Sequence, residues 1–208
     1  MPETPSTPPS AEAAAASAPD ARRRVLAPPL LLRAAVALAF GAVTVFWGAP
    51  TAFGAACCLA GYFVGLAVAR TWLLRRQART ADPAGRPSGG VRATVSAAYG
   101  LAAAIGLGLV AAPDTVVIGA GAAIALALTG ISDLVGGVAG RGRSPLSRDE
   151  VITGVVHLGA AILVPFFAGM GAHALLGVAG GAAIITGVLL AIAGLSLRHD
   201  SAAAGPVA

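Results

Sequence analysis

Three polar side chains lie inside long apolar stretches of this 208-residue chain, and they are the residues that could do chemistry. Asp133 lies eight residues before Arg141, about 12 Å inside an arginine-rich segment if the stretch is helical. Arg70 lies five residues before Arg75, about 8 Å inside a similar segment. His157 lies in a third apolar stretch. A carboxylate and a guanidinium at similar depth predict an intramembrane polar pair between Asp133 and Arg70.

Two interpretations of these groups stay open. Asp133 and Arg70 form either a structural pair (or snorkel separately to the headgroups) or part of a proton or ion relay. His157 either hydrogen-bonds to a neighbouring helix or senses pH, because imidazole changes its charge near neutrality. His173 and Asp114 lie near turns at the other ends of the apolar stretches, where two scattered groups indicate no site.

No catalytic set accompanies these residues. The chain contains no H-E-x-x-H, CxxC, G-x-S-x-G or Walker motif, and its two cysteines, Cys57 and Cys58, are adjacent in an apolar run. We therefore expect no enzymatic activity, no catalytic residue, no metal and no cofactor. The arginines flank apolar blocks instead of forming a continuous basic face, so no nucleic-acid partner is expected.

The elements that must position these residues are membrane helices. The chain is 57% hydrophobic and 11% charged, whereas soluble domains are about 25% charged. One uncharged run, Ala34 to Ala69, would be about 54 Å long as a helix, nearly twice the ~30 Å hydrocarbon thickness of a bilayer. Gly48 and Pro50 break it near the middle, because proline removes a backbone donor and disfavours helix before it. The run therefore predicts two helices joined by a turn.

The same pattern recurs twice, so we predict an all-α polytopic membrane protein with six transmembrane helices. Gly41, Gly100 and Gly159 recur at intervals of 59 residues in the first helix of each pair. Two-helix units keep the same orientation in the membrane, which predicts three parallel hairpin repeats. The repeats cover about 30–76, 91–140 and 150–198, and the predicted helices are 30–47, 51–74, 91–112, 115–139, 151–167 and 172–197.

The ends of the chain are predicted to be tails, 1–29 disordered because it is rich in Pro, Ser and Thr, and 199–208 short. Arg33, near the start of the first helix, is expected to snorkel to the headgroups. All 14 basic residues are arginines, and all belong to one side of the six-span arrangement, which places both termini in the cytoplasm. An arginine-only, alanine-rich composition is typical of bacteria with GC-rich genomes, so the predicted location is a bacterial inner membrane.

Glycine pairs four residues apart are predicted to pack helices together, since small residues let helix backbones approach in lipid. All fall in the second helix of a repeat, where replacing Gly65 or Gly181 by leucine should destabilise more than the same change at Gly41. The pairs are Gly61 and Gly65, Gly136 and Gly140, and Gly177 and Gly181.

Residues 30–198 resemble the HdeD-type acid-resistance membrane proteins, which are built from short DUF308 repeats. The matching segments are LLRAAVALAFGAVTVFWGAPTAFGAACCLAGYFVGLAVART, ALALTGISDL with GGVAGRGR, and AAIITGVLLAIAGLSLR. The shared features are Gly41, Pro50, Gly65, Gly100, Pro113, Gly130, Gly159 and Gly187, while the third unit has glycines in place of a turn proline. The resemblance implies a role in acid-stress survival and implies no catalytic site.

The expected function is that of a non-enzymatic stress-response protein that acts through helix packing with itself or with a membrane partner. The alternative is a small-solute or proton transporter that uses Asp133, Arg70 and His157. A transporter should bring these three side chains to one wet cavity, whereas a structural protein should pair them or let them snorkel. Under either reading, the one certain partner is the lipid bilayer.

Overall fold

The computed structural model describes residues 11–79 and 87–203, and all regular structure in those ranges is helical. Six of these helices are long and apolar enough to cross a membrane, which confirms the predicted all-α, six-span architecture. They are α1 (Ala11–Phe46), α2 (Ala52–Arg79), α3 (Gly89–Leu109), α4 (Thr115–Ala139), α5 (Ser147–Phe167) and α6 (Ala172–Ala203).

The turns between helices lie where the sequence predicts breaks. The backbone N–H of Gly54 donates to the Thr51 hydroxyl at 3.0 Å, which caps the start of α2 after Pro50. Asp114 caps α4 in the same way, accepting from the N–H groups of the second and third residues after it at 2.9 and 3.1 Å. Gly171, which ends the short turn before α6, has a φ of 95°, a conformation that side chains disfavour.

The predicted tail boundaries are wrong, because α1 already begins at Ala11 and α6 continues to Ala203. Alanine is the strongest helix former, and its abundance between positions 11 and 17 outweighs the scattered prolines that suggested disorder. Leu26 and Ala27 are fully buried and belong to the same apolar cluster as Leu190 and Leu197 of α6. Residues 1–10 and 204–208 of the predicted tails lie outside the described residues.

The six helices form a closed ring. Each helix contacts the next one in chain order, and α6 returns to contact α1, while α2 also touches α4 and α6 across the ring. The most extensive contacts join α1 to α6 and α4 to α5. Because the helices alternate in direction, both of these pairs are antiparallel.

Glycines form the seam between α1 and α6. Gly180, Gly187 and Gly194 lie seven residues apart, and a β-carbon on each would collide with a side chain of α1. Gly41 faces this seam from α1, where a β-carbon would collide with the side chain of Ile184. A seven-residue spacing keeps small residues on one face, so the two backbones approach closely along about four helical turns.

The seam between α4 and α5 is closer still, because it brings backbone against backbone. A β-carbon on Gly154 would lie 2.8 Å from the carbonyl oxygen of Gly130, and one on Gly130 would lie 2.9 Å from the carbonyl oxygen of Gly154. About two turns further along, a β-carbon on Gly137 would lie 2.7 Å from the carbonyl oxygen of Ser147. Only glycine fits at these three positions.

The predicted packing role is wrong for Gly61, Gly177 and Gly181, since nothing in the described residues lies within 4 Å of the space that a side chain would occupy. Among the other predicted glycines, Gly65 faces Val36 of α1, Gly136 faces Arg70 and Glu150, and Gly140 meets its own helix end, the loop after it and the first residue of α5. A four-residue spacing identifies a helix face without telling whether that face points to protein or to lipid. The three-repeat arrangement stays a prediction.

Large apolar side chains cover the outside of the ring. Phe46, Ile162 and Phe166 expose 87%, 66% and 76% of their surface, more than a soluble protein leaves uncovered in this number. Together with the apolar spans, this surface indicates contact with the lipid bilayer. The polar side chains discussed below face the interior.

Candidate functional site

A buried carboxylate in α4 joins four helices. Asp133 is fully buried, and its Oδ2 accepts a hydrogen bond from Nη2 of Arg33 in α1 at 2.5 Å. Its Oδ1 accepts from the hydroxyl of Tyr99 in α3 at 2.7 Å. His157 Nδ1, from α5, lies 3.5 Å from the same Oδ2. Asp133 is therefore the point at which α1, α3, α4 and α5 meet.

A second buried ion pair joins α2 to α5. Nη1 of Arg70 donates to Oε1 of Glu150 at 2.5 Å, and both residues are at least nine-tenths buried. The Tyr99 ring connects the two pairs, because the Cζ atoms of Arg33 and Arg70 lie 5.5 and 5.9 Å from its centroid, within cation–π distance. We refer to Arg33, Asp133, Arg70 and Glu150 as the charge cluster.

Tyr62 extends the polar core toward the centre of the membrane. A hydrogen bond of 3.1 Å joins its hydroxyl to Nε2 of His157, which in turn faces Asp133 through its other ring nitrogen. The Tyr62 ring stacks on Phe40 with 4.4 Å between the ring centroids. The imidazole therefore lies between a tyrosine hydroxyl, to which it is hydrogen-bonded, and a carboxylate oxygen 3.5 Å from its other nitrogen.

The formal charges of the charge cluster cancel, with two guanidiniums and two carboxylates. Removing an ion from water costs several kcal/mol, a cost that only a close partner of opposite sign and further hydrogen bonds offset. Four buried atoms near the cluster have no hydrogen-bond partner among the described residues: Arg33 Nε, Arg70 Nε, Thr153 Oγ1 and His157 Nδ1. The cluster therefore has no net charge, but the hydrogen-bonding capacity of its buried polar atoms is not fully used.

A small cavity of about 30 Å³ connects the charge cluster with the arginine-rich end of the bundle. Arg70 and Glu150 line its inner part, and Pro87, Arg143 and Ser144 line the part that lies toward the loops. This volume exceeds the roughly 10–15 Å³ that one water molecule needs. Asp133 and His157 are not among its lining residues.

The opposite half of the bundle interior is mainly apolar, and the hydroxyl of its buried Thr44 donates to the Gly41 carbonyl oxygen of the same helix. The apolar residues come from α2, α4 and α6 and are fully buried, which separates the charge cluster from the far surface by more than two helical turns of hydrocarbon. These residues are Ala55, Ala56, Leu59, Ile118, Ala122, Leu175, Leu176 and Ala179. The polar core is therefore closer to one membrane surface than to the other.

The sequence predicted an intramembrane position for Asp133 and for His157, but it assigned the wrong partner to Asp133. The predicted Asp133–Arg70 pair is wrong, since Asp133 binds Arg33 and Arg70 binds Glu150. The snorkelling predicted for Arg33 is also wrong, because its side chain is only 2% exposed. Similar depth in the membrane does not make two residues neighbours. α1 and α3 supply the groups that reach Asp133.

Sequence reasoning missed four residues of the buried polar core: Arg33, Glu150, Tyr62 and Tyr99. The chain has only two tyrosines, and both lie in mid-span instead of at the interfaces that tyrosine favours. Their mid-span positions could have predicted that each hydroxyl is buried and hydrogen-bonded to a polar partner. Nothing in the sequence indicated that Glu150 is part of the site, because it lies in the first turn of α5, where an acidic residue is also favoured by the helix dipole.

The scattered polar groups at the other end have structural contacts. His173 Nδ1 lies 3.2 Å from the carbonyl oxygen of Trp47, and Asp114 caps α4. Within residues 11–79 and 87–203, no group of three or more His, Cys, Asp or Glu residues could hold a metal ion. The charge cluster is thus the candidate site, and the interaction it displays is ion pairing between buried arginines and carboxylates.

Comparison of the chain with protein-family models, with curated proteins and with solved structures finds no match.

Proposed function

We propose that this chain is a non-enzymatic, multi-pass protein of the bacterial inner membrane, of the HdeD-like stress-response type. In this proposal the charge cluster holds the six helices in one arrangement. The observation that carries it is the pairing of each buried arginine with a buried carboxylate at 2.5 Å. Arginine and carboxylate groups that are paired at this distance neutralise each other, so they are not available to bind a transported solute. The resemblance of residues 30–198 to HdeD-type proteins supports the stress role.

The proposed mode of action is packing against another copy of the chain or against a membrane partner. Phe46, Phe166 and Met170 support it, since they expose 87%, 76% and 71% of their surface at the end of the bundle opposite the arginines. Aromatic side chains and methionine are enriched at protein interfaces. The arginine distribution supports cytoplasmic termini, because positive charge is retained on the cytoplasmic side.

Deletion of the gene in its bacterial host should reduce survival after acid shock, and expression of the wild-type chain should restore it. Asp133→Asn should fail to restore survival, because it leaves Arg33 buried without its partner. Asp114→Asn is the matched control, since asparagine caps helices as well as aspartate does. Colony counts after acid exposure, with membrane levels of each variant measured by immunoblot, give the result. Equal survival of the deletion and parent strains would contradict the stress role.

A second candidate function, proton or small-solute transport, is favoured by one observation. Tyr62, His157 and Asp133 form a continuous polar chain, and the cavity beside Arg70 and Glu150 approaches it from the arginine-rich end. Against it stands the apolar half of the interior, which any transported species must cross.

Reconstitution separates the two candidates. Proteoliposomes loaded with a pH-sensitive dye and given a pH gradient should show no more proton flux than protein-free liposomes if the first proposal holds. Flux in the wild type that disappears in Asp133→Asn and in His157→Phe, but persists in Asp114→Asn, would establish the transporter instead.

A further inference from the structure

A groove of about 420 Å³ runs along the lipid-facing side of the ring between α2 and α3. α2 lines it from Val64 to Arg75, and α3 lines it from Ser96 to Ala103. The α2 wall extends over about 16 Å along the helix axis, roughly half of the ~30 Å hydrocarbon thickness of a bilayer. The groove is therefore about as long as one leaflet is thick, and it begins at the arginine-rich end.

The deep part of the groove suits a hydrocarbon chain. Nothing in the described residues lies within 4 Å of the position where a β-carbon would stand on Gly100, so the backbone of α3 forms part of the floor. Val64, Val68 and Ala103 supply apolar walls around it. An acyl chain lying here would contact carbon atoms along its length.

The mouth of the groove is cationic. Arg75 lines it, and Arg92 lies one turn from Ser96 on the same face of α3. Both arginines are exposed, and neither has an ion-pair partner among the described residues. Trp72 lines the groove beside Arg75, and Arg76 lies over its ring at 5.6 Å, which fixes the indole at the headgroup level.

We propose that this groove binds one anionic phospholipid from the arginine-side leaflet, with its phosphate between Arg75 and Arg92 and one acyl chain along Gly100. The hydroxyls of Thr71 and Ser96 line the groove just below the arginines, at the depth where they can donate to phosphate or ester oxygens. Charge complementarity identifies the class of lipid, since a zwitterionic headgroup would place its own cation against the two arginines.

A second groove at the same end of the bundle has the opposite character. It lies between α5 and α6, has a volume of about 310 Å³, and includes Asp149 but no arginine in its lining. An anionic headgroup would be repelled there. Preference for anionic lipid is therefore expected in the α2–α3 groove and not in the α5–α6 groove, which distinguishes a site from the general attraction of a basic protein surface.

Trp72 provides a local probe of the proposed site. The chain has two tryptophans, so Trp47→Phe leaves the groove as the sole source of tryptophan fluorescence. This variant is placed in phosphatidylcholine bilayers that contain increasing mole fractions of either dibrominated phosphatidylglycerol or dibrominated phosphatidylcholine. We expect phosphatidylglycerol to quench Trp72 at a clearly lower mole fraction. Each arginine should contribute about a fivefold preference.

Matched variants distinguish lipid binding in the α2–α3 groove from the general attraction of anionic lipid to a basic protein surface. Arg75→Gln and Arg92→Gln should each reduce the preference about fivefold, whereas Arg75→Lys should keep most of it. The double variant Arg141→Gln/Arg148→Gln removes twice as much charge elsewhere at the same end and should still keep the preference. Gly100→Leu should weaken quenching by both lipids, while Ala193→Leu, which fills the α5–α6 groove, should not.

Equal quenching by the two brominated lipids in the Trp47→Phe protein would overturn the proposal. So would an equal loss of preference in the Arg141→Gln/Arg148→Gln variant, because the effect would then belong to the whole surface. Since Arg75 and Arg92 are exposed and have no ion-pair partner among residues 11–79 and 87–203, their glutamine variants should retain the fold, and circular dichroism of each variant verifies this.

Discussion

Replacement of Asp133 by asparagine is expected to lower the free energy of unfolding by about 3–5 kcal/mol, the usual effect of breaking a buried ion pair. The amide keeps an oxygen for the Tyr99 hydroxyl but cannot neutralise Arg33, whose side chain has almost no access to solvent. Unfolding of the purified protein by SDS in mixed micelles, followed by circular dichroism, measures the change.

A double-mutant cycle identifies the partner of Asp133. Adding Arg33→Gln to Asp133→Asn should recover part of the lost stability, because no buried charge then lacks its counterpart. Adding Arg70→Gln should instead lower stability further, since it strands the carboxylate of Glu150. The reverse result, with recovery through Arg70→Gln, would show that Asp133 pairs with Arg70 as the sequence had suggested.

Replacement of Gly154 by leucine is expected to lower the free energy of unfolding by about 3 kcal/mol or more, at the upper end of the range for overpacking. A β-carbon there would lie 2.8 Å from the Gly130 carbonyl oxygen, and backbone cannot rotate away as a side chain can. α4 and α5 would have to separate along their whole contact. SDS titration again measures stability, and reduced yield from the membrane would accompany the loss.

Gly159→Leu is the matched control on the same helix, because no described atom lies within 4 Å of the position of its β-carbon. It should leave stability nearly unchanged. By the same reasoning Gly41→Leu should destabilise more than Gly181→Leu, which reverses the order expected from sequence. Equal effects of leucine at Gly154 and Gly159 would contradict the close contact between α4 and α5.

The interior of the membrane domain was partly predictable from individual residues. A buried Asp133 needs a cation in hydrocarbon, and this requirement is visible in the sequence. The sequence did not reveal which arginine supplies that cation. Arg33 and Arg70 both lie in neighbouring positions along the membrane normal, and hydropathy says nothing about which helix stands beside α4. Tyr99 and Tyr62 carried a weaker signal, since their mid-span positions favour hydrogen-bonded hydroxyls.

Sequence alone determined the number of membrane helices, the turns at Pro50, Pro113 and Gly171, and the confinement of arginine to one end. These properties are local, because they depend on apolar length, on backbone breaks and on charge between the breaks. The order of helices around the ring, the glycine seams and the partners of Asp133 and Arg70 were decided only by the tertiary structure. Sequence spacing gives a residue's depth along its own helix, whereas the direction in which it faces depends on the packing of all six helices together.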